Sequence, residues 1–246
     1  MGGSLVWISG ASSGIGAAMA RTVPWKGARV IGISRRPPED AEHLEFDLAD
    51  PDSWPAVGES LRQELAGFDG ERVVFVHAAG TVDPIGSAAE VDAEAYRANV
   101  LLNSAAPQAL GQIFLAVTQD LAVERHLVMF TSGAAKTVYR GWTSYGAGKA
   151  AVEQWVRTAG AEQTAKGGVR VLAVAPGTVD TTMQQRLRES TDDSFPQRQK
   201  FLDLHASGKL SDPDEVAGRI WALLAQDLAN GEVVDLRQLS DSSTSR

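Results

Sequence analysis

The chain has 246 residues, no cysteine and a formal net charge of −8. That length can bury a sizeable core, the acidity argues against a nucleic-acid or anionic-membrane role, and without cysteine there is neither a disulfide nor a thiolate zinc site. His43, His77, His126 and His205 stand at no metal-ligand spacing, so no metal is expected. An apolar strand pattern starts by Leu5, which leaves no room for a signal peptide, and no stretch reads as a membrane span; a cytoplasmic protein is expected.

Residues 5–9, LVWIS, form a short apolar run of strand type, and Gly10-Ala-Ser-Ser-Gly14-Ile-Gly16 follows at once, ahead of a helical pattern through Met19. Strand, glycine loop and helix in that order make a phosphate-binding unit. Glycine lets the backbone approach a pyrophosphate, and N–H groups at the helix start attract the anion. The spacing is G-x-x-x-G-x-G, not the commoner G-x-G-x-x-G. Residues 28–33 read as a second strand ending in Ser34-Arg35-Arg36. An acid here would bind an NAD ribose and an arginine a 2′-phosphate, so Arg35 and Arg36 point to NADP(H).

A third strand covers residues 43–46, with Asp47 at its end, and a mixed-charge helix covers 52–66. The fourth strand, 72–77, runs into Ala78-Ala79-Gly80, small residues that suit a backbone passing close to a ligand. Residues 91–117 look helical, with Asn99 near the middle and Pro107 implying a kink or break.

The fifth strand, 126–130, leads to Ser132, and a helix from Ser144 carries Tyr145 and Lys149 four residues apart on one face. A phenol with a pKa of about 10 is a poor acid or base near neutrality. An adjacent ammonium favours the phenolate, so Lys149 is expected to lower the Tyr145 pKa, with Ser132 placed to hydrogen-bond the oxygen whose charge changes.

A sixth strand, 169–175, stops at Pro176-Gly177, and residues 178–210 are polar and rich in turn formers, the composition of a substrate lid. A helix at 213–225, capped by Ser211 or Asp212, and a last strand at 231–236 complete the pattern. The polar tail 240–246 is expected to fray. Strands alternating with helices predict one domain over residues 1–239: α/β, a Rossmann-like doubly wound parallel sheet with helices on both faces.

Gly10–Gly16, Ala78-Ala79-Gly80, Asn99, Ser132, Tyr145-x-x-x-Lys149 and Pro176-Gly177 occur together in the order and spacing of the short-chain dehydrogenase/reductase family, which nearly the whole chain resembles. The resemblance implies a nicotinamide-dependent oxidoreductase with a Ser-Tyr-Lys-Asn set. Tyr145 would donate the proton, Lys149 would bind the nicotinamide ribose, Ser132 would orient the carbonyl, and Asn99 would support a water-linked relay. It further implies that Gly10, Ser12, Ser13, Gly14, Ile15 and Gly16 surround the phosphates and ribose. Arg35 and Arg36 would take the 2′-phosphate; Asp47, with Leu48 beside it, and Ala79 and Gly80 the adenosine; Pro176, Gly177, Val179 and Thr181 the carboxamide.

The second half is similar to sepiapterin reductases and their bacterial relatives, the benzil reductases, through SGAAKTVYRGWTSYGAGKAA, PGTVDTTMQQ and GKLSDPDEVAG. That resemblance implies a small-molecule carbonyl substrate bordered by Tyr139, Trp142, Met183 and Leu187, with a vicinal diketone reduced to a hydroxyketone as the leading reading. A pterin ketone anchored by Asp235 comes second; a catalytically silent NADP(H) sensor and an NAD-dependent alcohol dehydrogenase are the rivals. His77 replaces the first asparagine of the family's Asn-Asn-Ala-Gly and is expected to be a satisfied buried histidine. Leu236-Arg237 replaces a glycine pair after the last strand, which favours a homodimer over a tetramer.

Overall fold

A computed structural model describes residues 3–239, so the tail expected at 240–246 lies outside the described residues. Seven strands build one sheet among those residues: β1 (Ser4–Ser9), β2 (Arg29–Ser34), β3 (Glu42–Glu45), β4 (Arg72–His77), β5 (Glu124–Phe130), β6 (Arg170–Ala175) and β7 (Val233–Asp235), in the spatial order β3-β2-β1-β4-β5-β6-β7. Every pairing is parallel. The central strands are apolar on both faces because both are covered, whereas the edge strand β3 is polar and largely exposed.

Residue alternation divides the core into two layers. Val6, Ile8, Val74 and Val76 face a cluster with α1 (Gly14–Arg21) and α8 (Pro213–Leu223). There the Trp221 indole N–H donates to the Met19 carbonyl at 3.2 Å. Leu5, Trp7, Val73 and Phe75 face the other layer, built by α2 (Trp54–Leu65), α4 (Ala106–Thr118) and α5 (Thr143–Lys166). Asp212 is the N-cap of α8, accepting from the amides of Asp214 and Glu215. The strand order reverses between β1 and β4, and in doubly wound sheets ligands bind outside the carboxyl ends of the strands at that switch point.

Two segments differ from expectation. The long helical stretch is α3 (Ala93–Val100), a π-helical turn (Leu101–Ala105) and α4, with Pro107 inside the first turn of α4, directly after the π-turn. This run, Ala93–Thr118, is long and apolar enough to cross a membrane by composition, which the sequence reading did not anticipate. Its inner residues Ala106, Leu110 and Phe114 pack on the sheet, and a core helix passes the same test. The segment read as irregular folds into α6 (Thr182–Arg188) and α7 (Arg198–Ala206). Helices of two turns offer too few apolar residues for a period to show. Thr181 caps α6, and Leu187, Phe195 and Phe201 bury a third, separate cluster with Tyr139, Trp142 and Tyr145.

Candidate active site

A cleft opens over the carboxyl ends of β1, β2, β4, β5 and β6, and the glycine loop forms its floor. The loop is tight: a Cβ on Gly16 would lie 2.3 Å from the Gly10 carbonyl oxygen, and one on Gly10 would meet the Ala79 backbone at 2.8 Å. Ser13, the N-cap of α1, is extended and makes no side-chain cap, so the N–H groups of the first turn are left for another acceptor. Arg35 and Arg36 line the far end of the cleft, both exposed. Arg35 lies 3.8 Å from Asp47.

The cleft brings together Gly10, Ser12, Ser13, Gly14, Ile15, Gly16, Arg35, Arg36, Asp47, Leu48, Ala79, Gly80, Tyr145, Lys149, Pro176, Thr181 and Met183. Gly177 and Val179 do not line it, nor do Asn99, Ser132, Tyr139, Trp142, Leu187 and Asp235. Val179 is buried in the α1–α8 layer and bridges to Ser211, and Gly177 faces Arg237. Lining residues that the motif reading passed over include Ile33, Phe46, Leu102, Phe130 and Thr131. They are the apolar ends of the same strands and the π-turn, visible only once the register is known.

Tyr145 and Lys149 are both buried on the first turns of α5. Ser132 sits at the end of β5, where its Oγ accepts from the Ala134 amide at 3.2 Å. That bond leaves the hydroxyl proton free to donate, and Ser132 stands beside the Tyr145 phenol. Burial pushes the phenol above its ordinary value, and the Ser132 hydroxyl pulls it partly back. The lowering expected from Lys149 is therefore corrected: desolvation outweighs the nearby charge. The Lys149 ammonium donates to the Phe130 carbonyl at 2.9 Å and lies 5.7 Å from the Tyr145 ring centre. Burial brings Lys149 down to about 8.

Asn99 is buried, and its Nδ2 donates to the carbonyls of Thr81 at 3.2 Å and Asp83 at 2.6 Å. Its Oδ1 has no partner among the described residues. Asn103, which the motif reading missed, is equally buried in the π-turn. It clamps the same loop, accepting from the Thr81 amide at 3.2 Å and donating to the Thr81 carbonyl at 2.8 Å. His77 is half satisfied. Nδ1 pairs with the Ser9 hydroxyl at 3.1 Å and Nε2 has no partner among the described residues, so burial, with Lys149 nearby, pulls the ring down to about 3 and keeps it neutral.

Beyond the phenol, Trp142 packs edge-on to Tyr145 at 5.2 Å between ring centres and stacks on Phe195 at 4.7 Å. Tyr139 adjoins Trp142 at 5.0 Å, and Leu187 closes the same cluster. Asp235 does not present a free carboxylate. Arg237 holds it through Nε at 2.9 Å, Nη2 at 2.5 Å and its amide at 3.0 Å, and depresses its pKa.

A family model described as enoyl-(acyl carrier protein) reductase matches residues 10–234. The benzil reductase ((S)-benzoin forming) of Bacillus subtilis is 32% identical over 240 residues, covering 94% of this chain and 97% of the relative. The sepiapterin reductase of Bos taurus is 30% identical over 92% of this chain and 91% of its own. A short-chain dehydrogenase/reductase structure from Saccharomyces cerevisiae superposes with a TM-score of 0.81 at 24% identity, over 94% of this chain and 95% of that one.

Proposed function

The chain is an oxidoreductase of the short-chain dehydrogenase/reductase family, and we propose that it is an NADPH-dependent carbonyl reductase acting on α-dicarbonyl compounds. The observation that carries the reading is the buried pair Tyr145 and Lys149, with Ser132 beside the phenol, in a cleft that also holds Arg35 and Arg36.

A dinucleotide fits this cleft. The uncapped start of α1 and the glycine loop would hold its phosphates, Arg35 and Arg36 its 2′-phosphate, and Lys149 its nicotinamide ribose. When bound, the cofactor supplies hydride. The chain's own groups supply position and the proton. Ser132 donates to the substrate oxygen and fixes the carbonyl in place. Tyr145, kept protonated by burial, delivers its phenolic proton to that oxygen as charge builds there. Lys149 replaces the proton lost by the phenol, and the unpaired Oδ1 of Asn99 is the acceptor that a water-linked relay requires. Segment 178–210, with α6 and α7, acts as the lid.

The diketone substrate rests on the similarity to a benzil reductase and on the aromatic cluster of Tyr139 and Trp142 that packs against Tyr145. The pterin alternative is weaker, because the Asp235 carboxylate is already held by Arg237. A homodimer in the cytoplasm completes the reading. Loss of nicotinamide absorbance with benzil and NADPH, and not with NADH, is the expected result. NADPH binding without consumption of benzil, 1-phenyl-1,2-propanedione or sepiapterin would favour the silent sensor.

A further inference from the structure

Beside the cleft, outside its lining, stands a group of side chains whose hydrogen-bonding capacity is unbalanced. Arg237 lies across Gly133 and Gly177, the residues that follow Ser132 and Pro176. Its Nη2 is 3.0 Å from where a Cβ on Gly133 would stand, and its Cγ is 3.2 Å from a Cβ on Gly177, whose φ of +88° also favours glycine. Nε and Nη2 bind Asp235, and Nη1 has no acceptor among the described residues.

Next to it, the Tyr139 hydroxyl accepts from the Lys200 ammonium at 3.1 Å, which leaves the tyrosine proton to be donated. The Trp142 indole N–H is buried without an acceptor. Arg237, Tyr139, Trp142 and Lys200 are all donors, and Asp235, the carboxylate among them, is taken. Lys136, at the edge of the same loop, adds another cation, partly offset by Glu153 at 3.8 Å. In a chain of net charge −8 this is a local excess of positive charge and of donors. Such a wall suits a ligand that brings acceptors and negative charge.

We propose that the substrate carries a carboxylate, bound by Arg237 with Tyr139 and Lys200, while its ketone lies between Ser132 and Tyr145. The inference rests on the carbonyl-reductase reading of the same cleft. It departs from a neutral diketone in placing an anion at the end of the pocket remote from the hydride. Arg237 then determines specificity, and Asp235 holds the guanidinium fork in register.

The test compares benzil with 4-carboxybenzil as substrates with NADPH. The expected kcat/KM is at least about tenfold higher for the carboxylate, carried by KM, and the advantage shrinks as salt rises from about 0.05 to 0.5 M. Arg237→Gln should bring the ratio close to one, and Arg237→Lys, which keeps charge without the fork, should leave part of it. Equal kcat/KM in the wild type, or a ratio that survives Arg237→Gln, overturns the proposal. Binding of both compounds, followed by tryptophan fluorescence, separates the two readings. Tighter binding of 4-carboxybenzil with no turnover of either compound would defeat the reductase reading and uphold the anion site. Equal binding defeats the anion site whatever the turnover.

Discussion

The main-chain carbonyl of Phe130 accepts a hydrogen bond from the Lys149 ammonium at 2.9 Å, and the same ammonium lies 5.7 Å from the centre of the Tyr145 ring. The end of β5 thus fixes the lysine on one side while the helix that carries it fixes the tyrosine on the other. Burial acts on the two in opposite senses, drawing Lys149 down to about 8 and pushing Tyr145 up. The phenol therefore stays protonated through neutral pH, the form that reduction requires, and Lys149 is the first of the pair to lose its proton as pH rises. Reductive kcat/KM should be level at about pH 6–7.5 and fall above about 8. Lys149→Arg, which stays charged, should move that limb upward in a pH–rate profile. A limb that remains near 8 in the arginine variant would remove Lys149 as its source.

Tyr145→Phe keeps the ring that packs against Trp142 and deletes only the proton donor. Turnover should fall by about 10²–10⁴-fold. NADPH affinity, read by fluorescence titration, should change little, because the phosphate contacts lie on other elements and Lys149 is left in place. Turnover close to wild type would leave the site without its proposed acid.

Arg35 and Arg36 stand at the end of β2 with little to hold them except Asp47 at 3.8 Å, an exposed pair of small value. Their positive charge is thus free for a phosphate. Replacing both by alanine should weaken NADPH binding by about 10–100-fold, the worth of one or two charge-assisted bonds, and leave NADH nearly unaffected. Calorimetric titration of the two cofactors is the measurement, and equal losses would refute the 2′-phosphate assignment.

How much of this was legible depends on what a sequence carries. The order of strands and helices was, because every strand but β3 is a short, largely apolar run and many turns are marked by glycine, proline or a capping acid such as Asp212. The grouping of Ser132, Tyr145 and Lys149 was legible because the three occupy a single strand–helix unit. The direction of the Tyr145 pKa shift was not. A lysine four residues away is visible in the chain, but the burial that outweighs it comes from Trp142 and the rest of the third cluster, including Phe195 and Phe201 from the segment after β6. The pairing of Asp235 with Arg237 was open to view at a spacing of two, yet alternate residues at a strand end meet only if the strand stops there, as β7 does at Asp235.

Asn103 was hidden for a similar reason, since Pro107 announces a break without saying that a π-turn precedes it. Its side chain bonds both the amide and the carbonyl of Thr81. Asn103→Ala should orphan the Thr81 amide, while Asn99 still donates to the Thr81 carbonyl, and cost about 1–3 kcal/mol of stability. It should also loosen the loop after β4 and so raise the Kd for NADPH. Chemical denaturation and cofactor titration together check this, and a variant with unchanged stability would show that the clamp is carried by Asn99 alone.

His77 makes a prediction about the fold that is independent of catalysis. Its ring is buried and neutral, with a folded pKa of about 3 against 6.5 when unfolded. Between those values the unfolded chain binds the extra proton, so acid favours unfolding: the contribution is intact above pH 6.5 and is lost as pH falls towards 3. Near pH 4 the penalty from this one ring amounts to about 3 kcal/mol. The free energy of unfolding, measured by denaturant titration at pH 7 and pH 4, should therefore drop more in the wild type than in His77→Asn, by about that amount. Asparagine can still hydrogen-bond the Ser9 hydroxyl and carries no proton to gain. An identical drop in both proteins would mean that the ring escapes burial before it titrates, and that the acid sensitivity of the fold lies elsewhere.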